Sequence, residues 1–174
     1  SFPLGATTVT YTVTDGSGNT ATATQVVTVV DNIDPTITAP AAVSVPVDAG
    51  VCTTALANVT LGTPTTGDNC SVASTTNDAP ASFPLGATTV TYTVTDGSGN
   101  TATATQVVTV EDNIYPVAVA YNVPILLQLD ANGQGSIAAS DADSASSDNC
   151  TFTLSLDNTS FDCDDLGTNT VTLT

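Results

Sequence analysis

Apolar and polar residues alternate in Thr8–Thr14, and an extended chain places the apolar ones on one face: Val9, Tyr11 and Val13. Threonines occupy the opposite face. The segment Asp15–Asn19 then supplies glycine, aspartate and asparagine, which tolerate the backbone angles of a tight turn. A second strand is expected from about Thr20 to Val30. The pattern therefore predicts a β-hairpin.

This hairpin belongs to a stretch that occurs twice. Ser1–Ile33 recurs as Ser82–Ile114 with one difference, Val30 against Glu111. The spacing is 82 − 1 = 81 residues, which is the size of one small β-domain. Near-identity over this length indicates a duplicated module in a tandem array.

Short strand patterns separated by turn residues continue through the rest of the chain, and no segment has sustained helical periodicity. They predict an all-β protein of tandem immunoglobulin-like antiparallel β-sandwich domains in an extended array. Residues 1–33 are expected to be the C-terminal part of one repeat and 34–113 a complete repeat. Residues 114–174 are expected to be the N-terminal part of a divergent repeat. The sequence is thus expected to be an internal piece of a longer polypeptide.

Charge narrows the possible functions. The chain has no Lys, Arg or His against 17 Asp plus Glu, a net charge of −17. Without cations it is not expected to bind nucleic acid or anionic membranes, and no apolar run is long enough for membrane insertion. Acid–base catalysis would rest on carboxylates alone, so we expect no enzyme and no catalytic residues. The acidity suits divalent cations, or it keeps a long array soluble.

The four cysteines divide evenly between the two longer predicted domains. They pair most simply within them, as Cys52–Cys70 and Cys150–Cys163. A zinc site is disfavoured because CxxC spacing and histidine are both absent. Disulfides predict a location outside a reducing cytoplasm, in the extracellular space or at the cell surface.

Acidic and amide side chains cluster where one predicted domain ends and the next begins. Calcium takes six to eight oxygen ligands, so a hinge would need help from nearby loops, and a hairpin turn holding Asp15 or Asn19 could contribute. Ordinary turn chemistry is the alternative explanation for Asp-Asn at a strand end. The predicted Ca²⁺ ligands of the two hinges and the adjoining loop are Asp31, Asn32, Asp34, Asp68, Asn69, Glu111, Asp112 and Asn113.

Several motifs together resemble the hyalin repeat (HYR) domain: Phe83-Pro84-x-Gly86, Val90–Thr93, Thr95-Asp96-x-x-Gly99-Asn100, Asp112-Asn113, Gly50-x-Cys52 and Asp68-Asn69-Cys70. The resemblance implies an immunoglobulin-like sandwich used in extracellular adhesion. The last domain resembles a variant found in giant surface proteins of gliding, type IX-secreting bacteria. It implies a stalk or filament segment for cell-surface adhesion, in contact with neighbouring repeats. Surface polysaccharide or other adhesin and filament subunits are further expected partners.

A non-catalytic carbohydrate-binding module of a secreted enzyme is the alternative. It would need exposed aromatic rings, yet the chain has no Trp and only four Tyr and four Phe. Tyr11 and Tyr92 are expected in a core, which leaves Tyr115 and Tyr121 as candidate sugar contacts.

Overall fold

A computed structural model describes the whole chain, Ser1–Thr174. It begins with the hairpin that the alternating pattern predicts, between β1 (Gly5–Thr14) and β2 (Thr20–Val29). The strands are antiparallel, and their register runs from Gly5 opposite Val29 to Thr14 opposite Thr20. Asp15–Asn19 forms the turn, where Gly18 adopts φ +87°. The hairpin prediction is confirmed.

Ten further strands follow, most of them short: β3 (Thr36–Thr38), β4 (Val43–Pro46), β5 (Thr53–Ala55), β6 (Thr65–Gly67), β7 (Val72–Asn77), β8 (Ser82–Pro84), β9 (Gly86–Asp96), β10 (Thr101–Glu111), β11 (Gly135–Ser136) and β12 (Ser160–Phe161). The helical elements are α1 (Ala139–Ala142) and two 3-10 turns, Leu56–Asn58 and Cys163–Asp165. No helix has both the length and the apolar character that crossing a membrane requires. The all-β class with antiparallel sheets is confirmed.

The largest sheet has four strands in the order β4-β10-β9-β7. The pairs β3-β6, β5-β8 and β11-β12 form two-stranded sheets. In the β7-β9 pair, Val72 lies opposite Asp96, and the Gly97 N–H donates to the Ser71 carbonyl at 3.0 Å. This register places the end of β9 beside the loop that precedes β7.

The residues cluster into two compact units. Unit 1 contains Ser1–Val43, Thr60–Ala81 and Thr88–Val108, and unit 2 contains Ser44–Val59, Ser82–Ala87 and Thr109–Thr174. The repeat boundaries at residues 33 and 113 stay predictions.

The core of unit 1 is built on the inward face of β9 and β10, where Val90, Val94 and Val108 are buried. A buried polar pair lies among them. The Tyr92 hydroxyl donates to Gln106 Oε1 at 2.8 Å, and Gln106 Nε2 donates to the carbonyls of Ala41 (2.6 Å) and Leu61 (2.9 Å). Gln106 thereby holds two loops against the sheet, because its amide satisfies a backbone carbonyl in each of them.

Unit 2 has a core of its own that includes β5 and β8. Phe83 is fully buried, and the buried Thr54 hydroxyl donates to the Pro46 carbonyl at 2.7 Å. Asp48 fixes the turn before β5, since its carboxylate accepts from the Ala55 N–H and the Asn58 amide, each at 2.7 Å. Towards the end of the chain an apolar cavity of about 450 Å³ lies among side chains that include Tyr121, Leu127, Ile137, Phe161 and Leu173.

Identical sequences differ in burial between the two hairpins. Tyr92 in β9 is 2% exposed, whereas its counterpart Tyr11 in β1 is 54% exposed. The expectation that Tyr11 lies in a core is wrong, because β1 and β2 form a sheet of two strands with no third strand beside them. Burial of this apolar face depends on the neighbouring elements.

The disulfide also differs from the prediction. Cys52 is bonded to Cys150, with their Cα atoms 4.8 Å apart, and Cys70 and Cys163 are free and exposed. The predicted pairings Cys52–Cys70 and Cys150–Cys163 are therefore wrong. Counting cysteines per domain could not reveal that the loop carrying Cys52 lies against a loop 98 residues later.

Candidate metal centre

Three carboxylates of unit 1 converge at the first predicted hinge. Asp31 follows β2, Asp68 lies between β6 and β7, and Asp96 ends β9. One carboxylate oxygen from each lies within 4.8 Å of the others. The β7-β9 register brings the last two together, and the extended segment after β2 brings the first.

Each of the first two carboxylates uses one oxygen in local hydrogen bonds. Asp31 Oδ1 accepts from the Ile33 N–H at 3.2 Å and from the Asn69 amide at 3.3 Å. Asp68 Oδ2 accepts from the backbone N–H groups of Cys70 and Ser71 at 2.8 and 2.9 Å. The other oxygens, Asp31 Oδ2 and Asp68 Oδ1, are buried without a hydrogen-bond partner. Two lone acceptors therefore remain in the cluster.

Asp96 is 2% exposed and is held by the turn that follows it. Its Oδ1 accepts from the N–H groups of Ser98 (2.9 Å) and Asn100 (2.7 Å), and its Oδ2 accepts from the Asn100 side chain at 2.7 Å. Burial acts to raise the pKa of Asp96, but the hydrogen bonds from Asn100 and the turn amides outweigh it and lower that pKa. The carboxylate is therefore kept ionised.

The Asn100 amide also connects this turn to the hinge. Its Nδ2 lies 3.3 Å from the carbonyl oxygens of both Asp31 and Ile33. The Cys70 thiol lies at the edge of the cluster, and the nearby Asp31 carboxylate raises the pKa of Cys70 above the ordinary value of 9.0.

The charge of this cluster has no compensation from the protein. Three carboxylates lie within 4.8 Å, and the sequence contains no Lys, Arg or His. Buried acceptors without donors are costly, and like charges at this distance repel. Hard oxygen ligands of this kind fit Ca²⁺, which takes carboxylate and carbonyl oxygens at flexible geometry.

A second cluster occurs at the second predicted hinge, within unit 2. Asp112 and Asp148 lie together with the Cys150 sulfur, which is in the disulfide. Asp112 Oδ1 accepts from the Ile114 N–H at 3.0 Å and from the Asn149 amide at 3.4 Å. Asp148 Oδ1 and Asn149 Oδ1 are buried without a partner. This cluster repeats the first one with two carboxylates in place of three.

The structure brings together only part of the predicted ligand set. Asp31, Asp68 and Asp112 lie in the clusters, and Asn69 donates to Asp31. Four predicted ligands are exposed side chains outside both clusters: Asn32, Asp34, Glu111 and Asn113. Metal binding by any of these residues stays a prediction.

Sequence reasoning left Asp96 and Asp148 out of the ligand set. Asp96 is the counterpart of Asp15 in the Asp-Gly-Ser-Gly-Asn turn, which the sequence offers only as a possible contributor to a hinge, because turn chemistry explains the motif better than a calcium loop does. Asp148 was visible as the counterpart of Asp68 in the repeated Asp-Asn-Cys motif. The tyrosines considered for sugar contact, Tyr115 and Tyr121, are both exposed.

Comparison of the sequence with known protein families identifies the family of this chain. The sequence model described as the HYR domain matches residues 1–29 and 30–110. The chain belongs to the HYR domain family. The match covers the first hairpin and then a stretch that contains every residue of the three-carboxylate cluster.

Two relatives named Hyalin extend the HYR match. One, from Strongylocentrotus purpuratus, is 39% identical over 143 residues, covering 77% of this chain and 12% of the relative. The other, from Lytechinus variegatus, is 42% identical over 114 residues, covering 63% of this chain and 21% of the relative. The chain thus spans only 12% and 21% of the lengths of these two relatives. An HYR repeat with a disulfide is consistent with an adhesive, extracellular repeat protein.

Proposed function

We propose that this chain is a structural and adhesive segment of a long extracellular repeat protein. In this role its HYR repeats, as immunoglobulin-like sandwiches in tandem, form a stalk or filament at the cell surface, and Ca²⁺ stiffens the hinges. The observation that carries the proposal is the carboxylate cluster at each hinge, with buried oxygens that accept no hydrogen bond.

Calcium would supply the charge that the sequence lacks. In the first hinge the ligands would come from the segment after β2, the loop before β7 and the end of β9, through Asp31, Asp68 and Asp96. A cation held by these three segments would restrict the hinge, because each segment would lose freedom relative to the others. In the second hinge, Asp112 and Asp148 would act in the same way with fewer charges.

The proposed role is non-catalytic. The perturbed carboxyl at the cluster, Asp96, has a lowered pKa, which suits a permanent anion and does not suit a general acid or base near neutral pH. Neighbouring repeats are the proposed first partners. Adhesion to surface polysaccharide or to other filament subunits, including a role in gliding motility, belongs to the same proposal.

Titration of the full chain with Ca²⁺ tests the ligand assignment. We expect heat of binding and a raised melting temperature, both strongly reduced in Asp31→Asn and Asp68→Asn. Asparagine keeps one acceptor for the local hydrogen bonds and removes the charge, so the fold should persist. Asp34→Asn and Glu111→Gln are matched controls, because both remove a hinge carboxylate outside the clusters. Equal losses in all four variants would contradict the assignment.

The two clusters differ in their number of carboxylates, which predicts two different affinities for Ca²⁺. The cluster with three carboxylates should bind Ca²⁺ more tightly than the cluster with two, since affinity grows with ligand charge. Asp68→Asn should remove the tighter event and Asp148→Asn the weaker one. Small-angle scattering with Ca²⁺ and then with excess chelator tests stiffening separately. Binding without any change in the scattering curve would retain the metal site and overturn the stiffened stalk.

A further inference from the structure

Cys70 and Cys150 occupy the same position in two copies of one loop, but only Cys150 is in a disulfide. Each follows an Asp-Asn pair. The Cys70 N–H donates to Asp68 Oδ2 at 2.8 Å, and the Cys150 N–H donates to Asp148 Oδ2 at 2.9 Å. The two loops therefore hold their cysteines by the same backbone hydrogen bond.

The asparagine of each loop is also placed alike. Nδ2 of Asn69 lies 3.3 Å from the sulfur of Cys70, and Nδ2 of Asn149 lies 3.4 Å from the sulfur of Cys150. Both amides also approach the hinge aspartate of their own copy, at 3.3 and 3.4 Å. The first copy is thus preformed in the geometry of the second.

The difference between the copies is a second loop that only the later copy contacts. In unit 2 the Gly50–Cys52 loop lies on Asn149 and Cys150: the Asn149 amide donates to the Val51 carbonyl at 3.3 Å, and the disulfide follows one residue on. Asn149 and Cys150 are half-buried, whereas Asn69 and Cys70 are exposed.

The Gly50–Cys52 loop is held by its own repeat. The Val51 N–H donates to the Asp48 carbonyl at 3.3 Å, and the Asp48 N–H donates to the Thr53 carbonyl at 2.8 Å. Gly50 has φ +75°, a conformation that favours glycine. The loop therefore does not depend on its disulfide partner for its shape.

We propose that the Asp68-Asn69-Cys70 loop is a docking and disulfide site for the Gly-x-Cys loop of another HYR repeat. The incoming backbone carbonyl accepts from the Asn69 amide, and the incoming cysteine bonds to Cys70. The same connection repeated along an array would join each repeat covalently to its neighbour. This goes beyond the proposed function and requires no cation, so it can be tested in the presence of chelator.

The bond forms by thiol–disulfide exchange with an oxidised low-molecular-weight disulfide such as glutathione disulfide. The incoming cysteine first forms a mixed disulfide with one glutathione and releases the other as a thiol. The Cys70 thiolate then attacks the protein sulfur of that mixed disulfide, and the second glutathione leaves and takes up a proton. Two protein thiols are oxidised, and one glutathione disulfide is reduced to two thiols.

A mixing experiment between two forms of the full chain tests the site. The donor carries Cys70→Ser, Cys150→Ser and Cys163→Ser, which leaves Cys52 as its one thiol. The acceptor is the wild-type chain, with free thiols at Cys70 and Cys163. In glutathione disulfide and chelator we expect a Cys52–Cys70 linked heterodimer, identified by mass spectrometry. It should be lost in a Cys70→Ser acceptor and kept in a Cys163→Ser acceptor.

Random oxidation must be separated from docking. The rate at which each acceptor thiol forms the heterodimer is therefore divided by the rate at which the same thiol reacts with glutathione disulfide alone. We expect the normalised rate of heterodimer formation to be about ten-fold higher or more at Cys70 than at Cys163, because docking raises the effective concentration of the donor thiol. Asn69→Ala should lower this preference about five-fold, the value of roughly one hydrogen bond. Asn132→Ala, in an exposed turn beside Cys163, is the matched control and should leave the preference unchanged.

A second arm avoids the variants altogether. Heavy-isotope and light wild-type chains are mixed at high concentration with a small amount of reduced glutathione, which lets Cys52–Cys150 exchange. Heavy–light Cys52–Cys70 peptides should exceed heavy–light Cys52–Cys163 peptides. Equal normalised reactivity of Cys70 and Cys163 in both arms would overturn the proposal, as would Cys52–Cys70 bonds formed only within single chains.

Discussion

Gln106 joins three parts of unit 1 through hydrogen bonds to the Tyr92 hydroxyl and the carbonyls of Ala41 and Leu61. Gln106→Ala should lower the free energy of unfolding by about 3 kcal/mol, because it leaves a cavity and three polar groups without this partner. Gln25 is the same residue in the exposed copy, where it accepts only from Tyr11. Gln25→Ala should cost less than about 0.5 kcal/mol. Urea unfolding of both variants measures the difference, and equal losses would contradict the burial of Gln106.

Asp130 carries a pH-dependent contribution to stability that can be isolated. The Gln134 and Asn132 N–H groups donate to its carboxylate and lower the pKa of Asp130 below the ordinary value of 3.8. A lowered folded-state pKa stabilises the fold above the unfolded-state pKa, and that stability is lost as pH falls through the folded-state value. Wild type should therefore be more stable than Asp130→Asn at pH 6. The difference should disappear in urea unfolding curves once the pH lies below the folded-state pKa, and a difference that grew on acidification would reverse the sign of the shift.

Some residues of the carboxylate clusters can be predicted from the sequence, and others cannot. Asp31, Asp68 and Asp112 could be proposed from the hinge motifs alone. Asp96 could not be distinguished from Asp15, since both stand in the same turn with the same hydrogen bonds, and only Asp96 has a loop carboxylate beside it. The decisive information is the β7-β9 register, which no local pattern encodes.

Two hairpins of nearly one sequence make an internal comparison at the scale of the element. β9 and β10 lie within a four-stranded sheet, whereas β1 and β2 pair only with each other. A two-stranded hairpin is marginally stable in water. Amide hydrogens of β1-β2 should therefore exchange much faster than those of β9-β10. Peptides that include Val30 or Glu111 differ in mass, so the exchange of the two copies can be measured separately. Similar protection of the amide hydrogens in both hairpins would show that the first hairpin is covered by another surface.

Elements were predictable to different degrees for a physical reason. The alternation of Thr with Val and Tyr encodes a strand and its inward face, so the hairpins followed from sequence. The same alternation holds no information about which strand covers that face, so the exposure of Tyr11 did not follow. The Cys52–Cys150 bond depends on two turns meeting 98 residues apart, and the parity of the cysteines in each domain pointed to other pairs.

The whole molecule carries 17 carboxylates and no cationic side chain. Folding brings these charges closer together, and their mutual repulsion opposes the compact state. In chelator, the melting temperature should therefore rise as NaCl increases from about 0.01 to about 0.5 M, over which the screening length shortens severalfold. Potassium chloride at the same ionic strength is the control for a sodium-specific effect. A melting temperature that fell with salt would contradict a dominant role for charge repulsion.

The Cys52–Cys150 bond has a consequence for a chain that is pulled. It closes a loop that contains β5 to β11, so tension entering at Cys52 passes through the sulfur atoms to Cys150 and bypasses the strands between them. The sequence separation of 98 between the two cysteines corresponds to roughly 330 Å of extended chain. This length is withheld under load while the bond is intact and becomes available when it is reduced. The redox state of one cysteine pair would thus determine how far this segment stretches before it breaks.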